Sequence, residues 1–370
     1  MKKIFLLLVF IIQTISAQEN ALVRMDGKFG YILKSGEYLI QPKFKIAKNF
    51  SDGLAGVEEN GKWGFINHKG EFVIEPQYTN VKYFDNGICI VEKDKQWFYI
   101  NKKGEHINMP SSDKMFDFED GIAFIRQEDK IGFINTKGEV ILKPKFDLIK
   151  SFDNGFARTR LNDKWGIVDN KGKIIVVNEY DEIGDYSKNI TWGRKGDTFG
   201  VITSEGFTTV EGADKVWDFN NQDLTYARKE GKIGFINTKG KWIIEPKFDK
   251  AKSFSKDLAP VAIGKEWGFI NKKGEVVVDF MFNDAEIYAE EGLAPVKKDK
   301  EWGFVNISGK LVIPAEYQIT AGGFGMFRKE EKGFVNGLAR VKKGKKWCFL
   351  KTDGSILGNQ WFENAELFQK

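Results

Sequence analysis

A tryptophan-glycine pair that returns every 34 residues constrains this chain more than any other feature. Residues 61–78, GKWGFINHKGEFVIEPQY, hold the unit in full. With Trp63 as position zero, equivalent residues are Phe29, Trp63, Trp97, Ile131, Trp165, Phe199, Ile233 and Trp267, each 34 after the last. Trp302 follows after 35 and Trp347 after 45, which makes ten copies. Self-similarity at a fixed period of roughly 20 to 50 residues marks solenoids, propellers or arrays. Position plus seven is glycine in every copy: Gly36, Gly70, Gly104, Gly138, Gly172, Gly206, Gly240, Gly274, Gly309 and Gly354. Such regularity implies a backbone need, a positive φ that other residues reach only at a cost. The preceding residues, such as Asn67-His68-Lys69 and Asn135-Thr136-Lys137, read as short hairpin loops closed by that glycine.

Each unit reads as three strands. Leu54-Ala55-Gly56-Val57 is the first, Trp63 to Ile66 the second and Phe72-Val73-Ile74 the third. Pro76 ends the third because it cannot donate to a ladder. Pro42, Pro110, Pro144 and Pro246 hold the same offset. Consecutive apolar residues in Phe72-Val73-Ile74, Val140-Ile141-Leu142 and Val276-Val277-Val278 imply a strand covered on both faces. Neighbouring copies must supply the cover, as in stacked repeats.

The segments Lys62-Trp63-Gly64-Phe65-Ile66, Lys164-Trp165-Gly166-Ile167-Val168 and Glu266-Trp267-Gly268-Phe269-Ile270 resemble the WG-repeat family of bacterial proteins, also called KWG repeats. The resemblance covers nearly the whole chain after the first two dozen residues. It implies a secreted or surface repeat module and brings no common catalytic activity. Trp is replaced at Phe29, Ile131, Phe199 and Ile233, and Gly at Phe98 and Cys348.

Lys2-Lys3, an apolar stretch over residues 4–12 and then Ser16-Ala17-Gln18 have the layout of a secretory signal peptide. Its apolar core is shorter than the roughly 20 residues of a membrane span. The expectation is therefore a cleaved segment 1–17, then one array over 18–370 with no membrane span, in the periplasm, on the cell surface or secreted.

Charge and chemistry-bearing residues narrow the function by exclusion. The formal net charge is +5, of which Lys2 and Lys3 supply two, and the remaining lysines are scattered through turns. No basic stripe marks a nucleic-acid binder. Two cysteines, Cys89 and Cys348, lie far apart and leave stability to stacking. Two histidines, His68 and His106, offer no nucleophile-base set and no metal-ligand spacing. The reading is of no catalytic residues, no metal and no cofactor.

The expected fold is all-β: ten three-stranded antiparallel units stacked in an open curved array, with a closed propeller-like ring as the alternative. Ten units lie beyond the usual four to eight blades of a propeller. The expected function is a non-enzymatic protein-interaction scaffold, with a cell-envelope glycan as the second class of partner and hydrolysis a distant third. Two irregular stretches break the rhythm. One is residues 178–222, with off-pattern Trp192 and Trp217. The other is an insertion of eleven residues around 320–331. Regular positions answer to stacking, so the binding candidates are Trp192, Arg194, Trp217, Phe324, Phe327 and Arg328. Aromatic and Arg side chains carry much of the energy in interfaces.

Overall fold

A computed structural model describes residues 19–319 and 332–369. The segment 1–17 and the candidates Phe324, Phe327 and Arg328 lie outside them. The described residues form ten antiparallel sheets, eight of four strands and two of three, with no α-helix.

Eight of the ten sheets have one strand more than the sequence predicts. In the third, Asn80–Val81 pairs with Ile88–Lys93, which pairs with Gln96–Asn101. The extra strand spans two residues in most sheets, too short to leave a periodic signature. It follows the Pro-x-aromatic ending of one copy and pairs into the sheet of the next. Nine of the ten sheets are thus shared between two copies, and the fourth draws its three strands from one.

That sharing closes the array and overturns the open form. The last copy's short strand, Asn364–Ala365, has no eleventh sheet to join and pairs with Asn20–Met25 of the first. Asn20 and Gln369 exchange two backbone hydrogen bonds of 2.9 Å. Ala21, Val23 and Ile32 share a buried cluster with Leu338, Phe349 and Phe362. The molecule is a ten-bladed β-propeller.

All ten plus-seven glycines have positive φ, from 72° at Gly240 to 111° at Gly206. The glycine of the Trp-Gly pair serves a different purpose. The third strand bulges as it crosses the second, with a register shift between Trp63 and Phe65. A Cβ on Gly64 would lie 2.6 Å from the Ile74 carbonyl oxygen, and on Gly132 2.1 Å from that of Leu142. The two copies without this glycine lack the crossing strand. Beside Phe98 the third strand shrinks to His106–Ile107, and beside Cys348 a short 3₁₀ turn replaces it.

One reading of burial is corrected. The third strands are covered on one face only: Ile74 is buried while Val73 is exposed, and Val278 is buried while Val276 and Val277 are exposed. Apolar runs there arise because the outer strand meets solvent. Of the repeat tryptophans, Trp267 and Trp302 are core, whereas Trp63, Trp165 and Trp347 are half-buried. Basic side chains lie over several of these rings, as Lys48 does over Trp63 and Arg340 over Trp347. Both cysteines are buried and free.

Carboxylates link successive sheets along one rim. Asp147 accepts from Lys130 Nζ of one sheet at 2.5 Å and from the Asn162 amide of the next at 2.8 Å. Asp181 and Asp249 repeat the arrangement, with Lys164 and Gly196, and with Lys232 and Gly264.

Candidate functional site

The side chains that follow each short strand gather near the ring axis. A recurring aromatic anchors them in the core, as Phe50, Phe84, Phe219, Phe254 and Tyr288 do. The residue two before it is free of the repeat pattern: Lys48, Lys82, Phe116, Lys150, Gly184, Trp217, Lys252, Glu286, Lys332 and Glu366. Lys48 of the second sheet and Asp117 of the fourth sense each other's charge, as do Tyr83 of the third and Glu366 of the first. Sheets two apart approach that closely only at their inner edges. In a ring of radiating blades those edges face the central channel.

On most of this lining, charges are paired across the gap between sheets. Arg158 Nε lies 3.1 Å from Asp185. Glu286 takes Lys252 at 2.9 Å and Lys332 at 2.6 Å. Arg340 and Glu366 meet at 3.5 Å, both largely buried. Burial pushes the Glu366 carboxyl above its usual range against the pull of Arg340. Asp218 is raised too, by burial first and by the Asp185 charge second.

The sector around the second to fourth sheets differs. Among the described residues, neither Lys48 nor Lys82 has a carboxylate within ion-pair distance. The Lys48 ammonium sits 5.3 Å from the Trp63 ring centre and 5.2 Å from that of Tyr83. Burial, then the like charge of Lys82, holds Lys48 below the usual lysine range. Asp117 is close enough to be felt by both, yet its own burial pushes it toward the neutral acid.

The sequence candidates divide. Trp192 reaches this lining, donating Nε1–H to Asp218 Oδ1 at 2.8 Å, while the Asp185 amide donates to the same oxygen at 2.9 Å. Trp217 stands beside Asp218 with its ring stacked on Tyr226 at 4.7 Å and Lys215 Nζ 4.8 Å from its centre. Both tryptophans are half-buried. Arg194 takes no part in that contact; it binds Glu182 at 2.8 Å and the Gly196 carbonyl at 2.6 Å. His68 stacks on Phe50 at 4.2 Å. Among the described residues no group of three or more His, Cys, Asp or Glu is placed to hold a metal ion.

Sequence reasoning missed Lys48, Lys82, Asp117, Asp185, Asp218, Glu286, Arg340 and Glu366. The signal that could have found them is the variable position two before a recurring aromatic. A place that changes from Lys to Glu to Trp beside an unchanging anchor is one that packing does not dictate.

Comparison with known proteins agrees with this architecture. The profile of a family described as WG containing repeat matches residues 29–63, 63–97, 97–130, 131–165, 165–199, 233–266, 267–302, 302–324 and 332–347. The unmatched stretch between 199 and 233 carries Trp217 and Asp218. No curated protein matches the chain. Among solved structures, a eukaryotic initiation factor is similar over 95% of this chain and 98% of its own, with 10% identity and a TM-score of 0.52. That likeness concerns the fold alone. Hsv2 of Kluyveromyces lactis aligns over 62% of this chain and 86% of its own, at 12% identity and a TM-score of 0.34. The extracellular domain of a hybrid two-component system protein from B. thetaiotaomicron aligns over 95% of this chain and 56% of its own, at 10% identity and a TM-score of 0.30.

Proposed function

The chain belongs to the WG containing repeat family, and from that premise we propose that it is an exported, non-catalytic ring that holds a protein partner at its axis. The observation that carries the reading is Lys48, partly buried and next to the exposed Lys82. A partly buried ammonium without a carboxylate partner is costly to a fold that gains nothing from it. Elsewhere on the same lining, at Arg158, Lys252 and Arg340, the cost is met by an acidic partner. An acidic side chain of a bound protein would complete the remaining sector in the same way. Export is supported by the charged and apolar layout of residues 1–17. Among the described residues no helix is long and apolar enough to cross a membrane.

The test is retrieval of partners from the cell-envelope fraction by the wild-type ring and by a Lys48→Glu/Lys82→Glu variant. A partner whose binding is lost in the variant and weakens with salt supports the axial reading. Partners retained equally by both overturn it, and selective binding on a glycan array would move the function to the second class. N-terminal sequencing of native protein, with Gln18 first, tests export.

A further inference from the structure

The outer strands meet solvent all round the ring, yet their exposed apolar side chains are not evenly spread. Six of the sixteen large apolar residues exposed among the described residues crowd onto one corner of three consecutive sheets. They are Ile243 of the seventh sheet, Val276 and Val277 of the eighth, and Ile307, Leu311 and Val312 of the ninth. Each is between 37% and 56% exposed, and the other ten, Trp97 at 42% among them, lie elsewhere. The six adjoin because the repeat interlocks there. The hairpin loop of each copy packs on the outer strand of the copy before it. A Cβ on Gly274 would lie 3.1 Å from the Ile244 side chain, and one on Gly309 2.8 Å from that of Val278. Outer strand and loop thus alternate from Ile243 to Val312. All lie at the same end of their blades, because each loop joins the same two strands.

The same corner is basic. Lys239, Lys241, Lys273 and Lys310 stand exposed on these loops and strand starts. Among the described residues, none of the four has a carboxylate within ion-pair distance. Lys272 beside them is neutralised by Asp257 at 2.8 Å, and Glu275 accepts from Asn271 Nδ2 at 2.7 Å. Four unpaired ammonium groups against the carboxylate of Glu275 leave the corner positive.

We propose that this corner of the seventh to ninth sheets rests on the headgroup layer of an anionic lipid bilayer. Contiguous exposed apolar surface with a polar rim marks an interaction site. Composition separates lipid from protein as the occupant. Protein interfaces gather aromatic side chains and Arg and shed Lys, whereas here the cations are all Lys and the exposed apolar side chains all aliphatic. Lysines around a shallow apolar patch lay their stems along it and keep the ammonium among the headgroups. Anionic phosphates attract them there. The contact is peripheral: loops and strand ends enter the headgroup layer and no segment crosses it. This inference does not depend on the axial reading, since the corner lies on the outer wall and Lys48 on the inner edge. A ring held by one corner leaves its channel open to a partner.

The probe is vesicles of phosphatidylglycerol mixed into phosphatidylcholine, sedimented with the full-length mature protein beside vesicles of phosphatidylcholine alone. The mixed vesicles should carry the protein down, the uncharged ones should not, and salt should release it. Val277→Ser with Val312→Ser, and separately Lys239→Glu with Lys273→Glu, should each weaken binding by roughly tenfold or more. All four side chains are exposed, so the melting temperature should stay near wild type. The matched control is Val73→Ser with Lys69→Glu, exposed at the equivalent positions of the second sheet, and it should bind as the wild type does. No sedimentation with the mixed vesicles, or binding lost in the control and kept by both corner variants, overturns the assignment. Dimerisation of the chain that Val277→Ser with Val312→Ser abolishes would give the corner to a second copy and overturn the lipid reading.

Discussion

Arg340 donates to the backbone carbonyl of Ala365 at 3.0 Å, so a side chain of the tenth sheet grips the short strand that completes the first. The same guanidinium lies over Trp347 and faces Glu366. Arg340→Ala removes this grip and leaves a buried carboxylate without its cation. Breaking a buried pair in this way costs about 3–5 kcal/mol. Chemical denaturation should show the loss, and amide exchange in residues 20–25 should accelerate ahead of the other sheets.

Gly64→Ala should destabilise by about 1–3 kcal/mol, the usual effect of forcing atoms into a packed interior. Its Cβ would collide with the Ile74 carbonyl, a backbone atom that cannot swing aside. Phe98→Gly, at the equivalent place in the third sheet, opens no such conflict and changes stability through lost packing on Tyr78 and His106. Urea midpoints that fall equally for Gly64→Ala and for an exposed turn variant such as Lys137→Ala would count against the crossing-strand account.

Trp267→Ala should cost about 3–5 kcal/mol, as expected of a large core truncation. Its ring is only 6% exposed and lies under the Lys252 ammonium. Iodide should quench Trp97 readily and Trp267 poorly in single-tryptophan variants.

Stability should fall in acid. Hydrogen bonds from Lys130, Lys164 and Lys232 hold Asp147, Asp181 and Asp249 below the usual carboxylate range. A carboxylate with a lower pKa folded than unfolded contributes stability that is complete above the unfolded value of about 3.9. That contribution is lost as pH falls through the folded value. The melting temperature of the wild type should drop below about pH 4, and the triple Asp→Asn variant should start lower and fall less steeply. A variant whose acid limb matches the wild type's would exclude these three groups as its source.

Asp218 has the opposite sign. Its folded pKa is raised, so protonation stabilises the folded state as pH falls through that value. Asp218→Asn keeps an oxygen for Trp192 Nε1–H and removes the buried charge. It should therefore match or exceed wild type in melting temperature at neutral pH, whereas Asp218→Ala should fall below both.

Much of the architecture was legible because it repeats. Ten glycines at one offset announce ten hairpins, and Pro76 with its equivalents marks where the third strands near their ends. The short strand was not legible: Asn80–Val81 has two residues, and two residues carry no period. Ring closure stayed hidden for the same reason, since it rests on Asn364–Ala365 finding Asn20–Met25 more than three hundred residues away. Trp192 was found as an irregularity and does reach the axial lining. Lys48 and Asp117 were not, because a lone charge in a variable place looks like a solvated turn until sheets two apart converge on it.

The sharing of sheets between successive copies also sets an order in time. The second to tenth sheets take their strands from neighbouring stretches of chain and need only local contacts to form. The first sheet takes Asn364–Ala365 from the far end and stays one strand short until that end arrives. A chain that emerges from its N-terminus therefore completes its first blade last. Loop closure of that range is slow compared with local pairing. A circular permutant cut within an exposed turn such as Asn60-Gly61, with the original ends joined, would shift that delay to another blade.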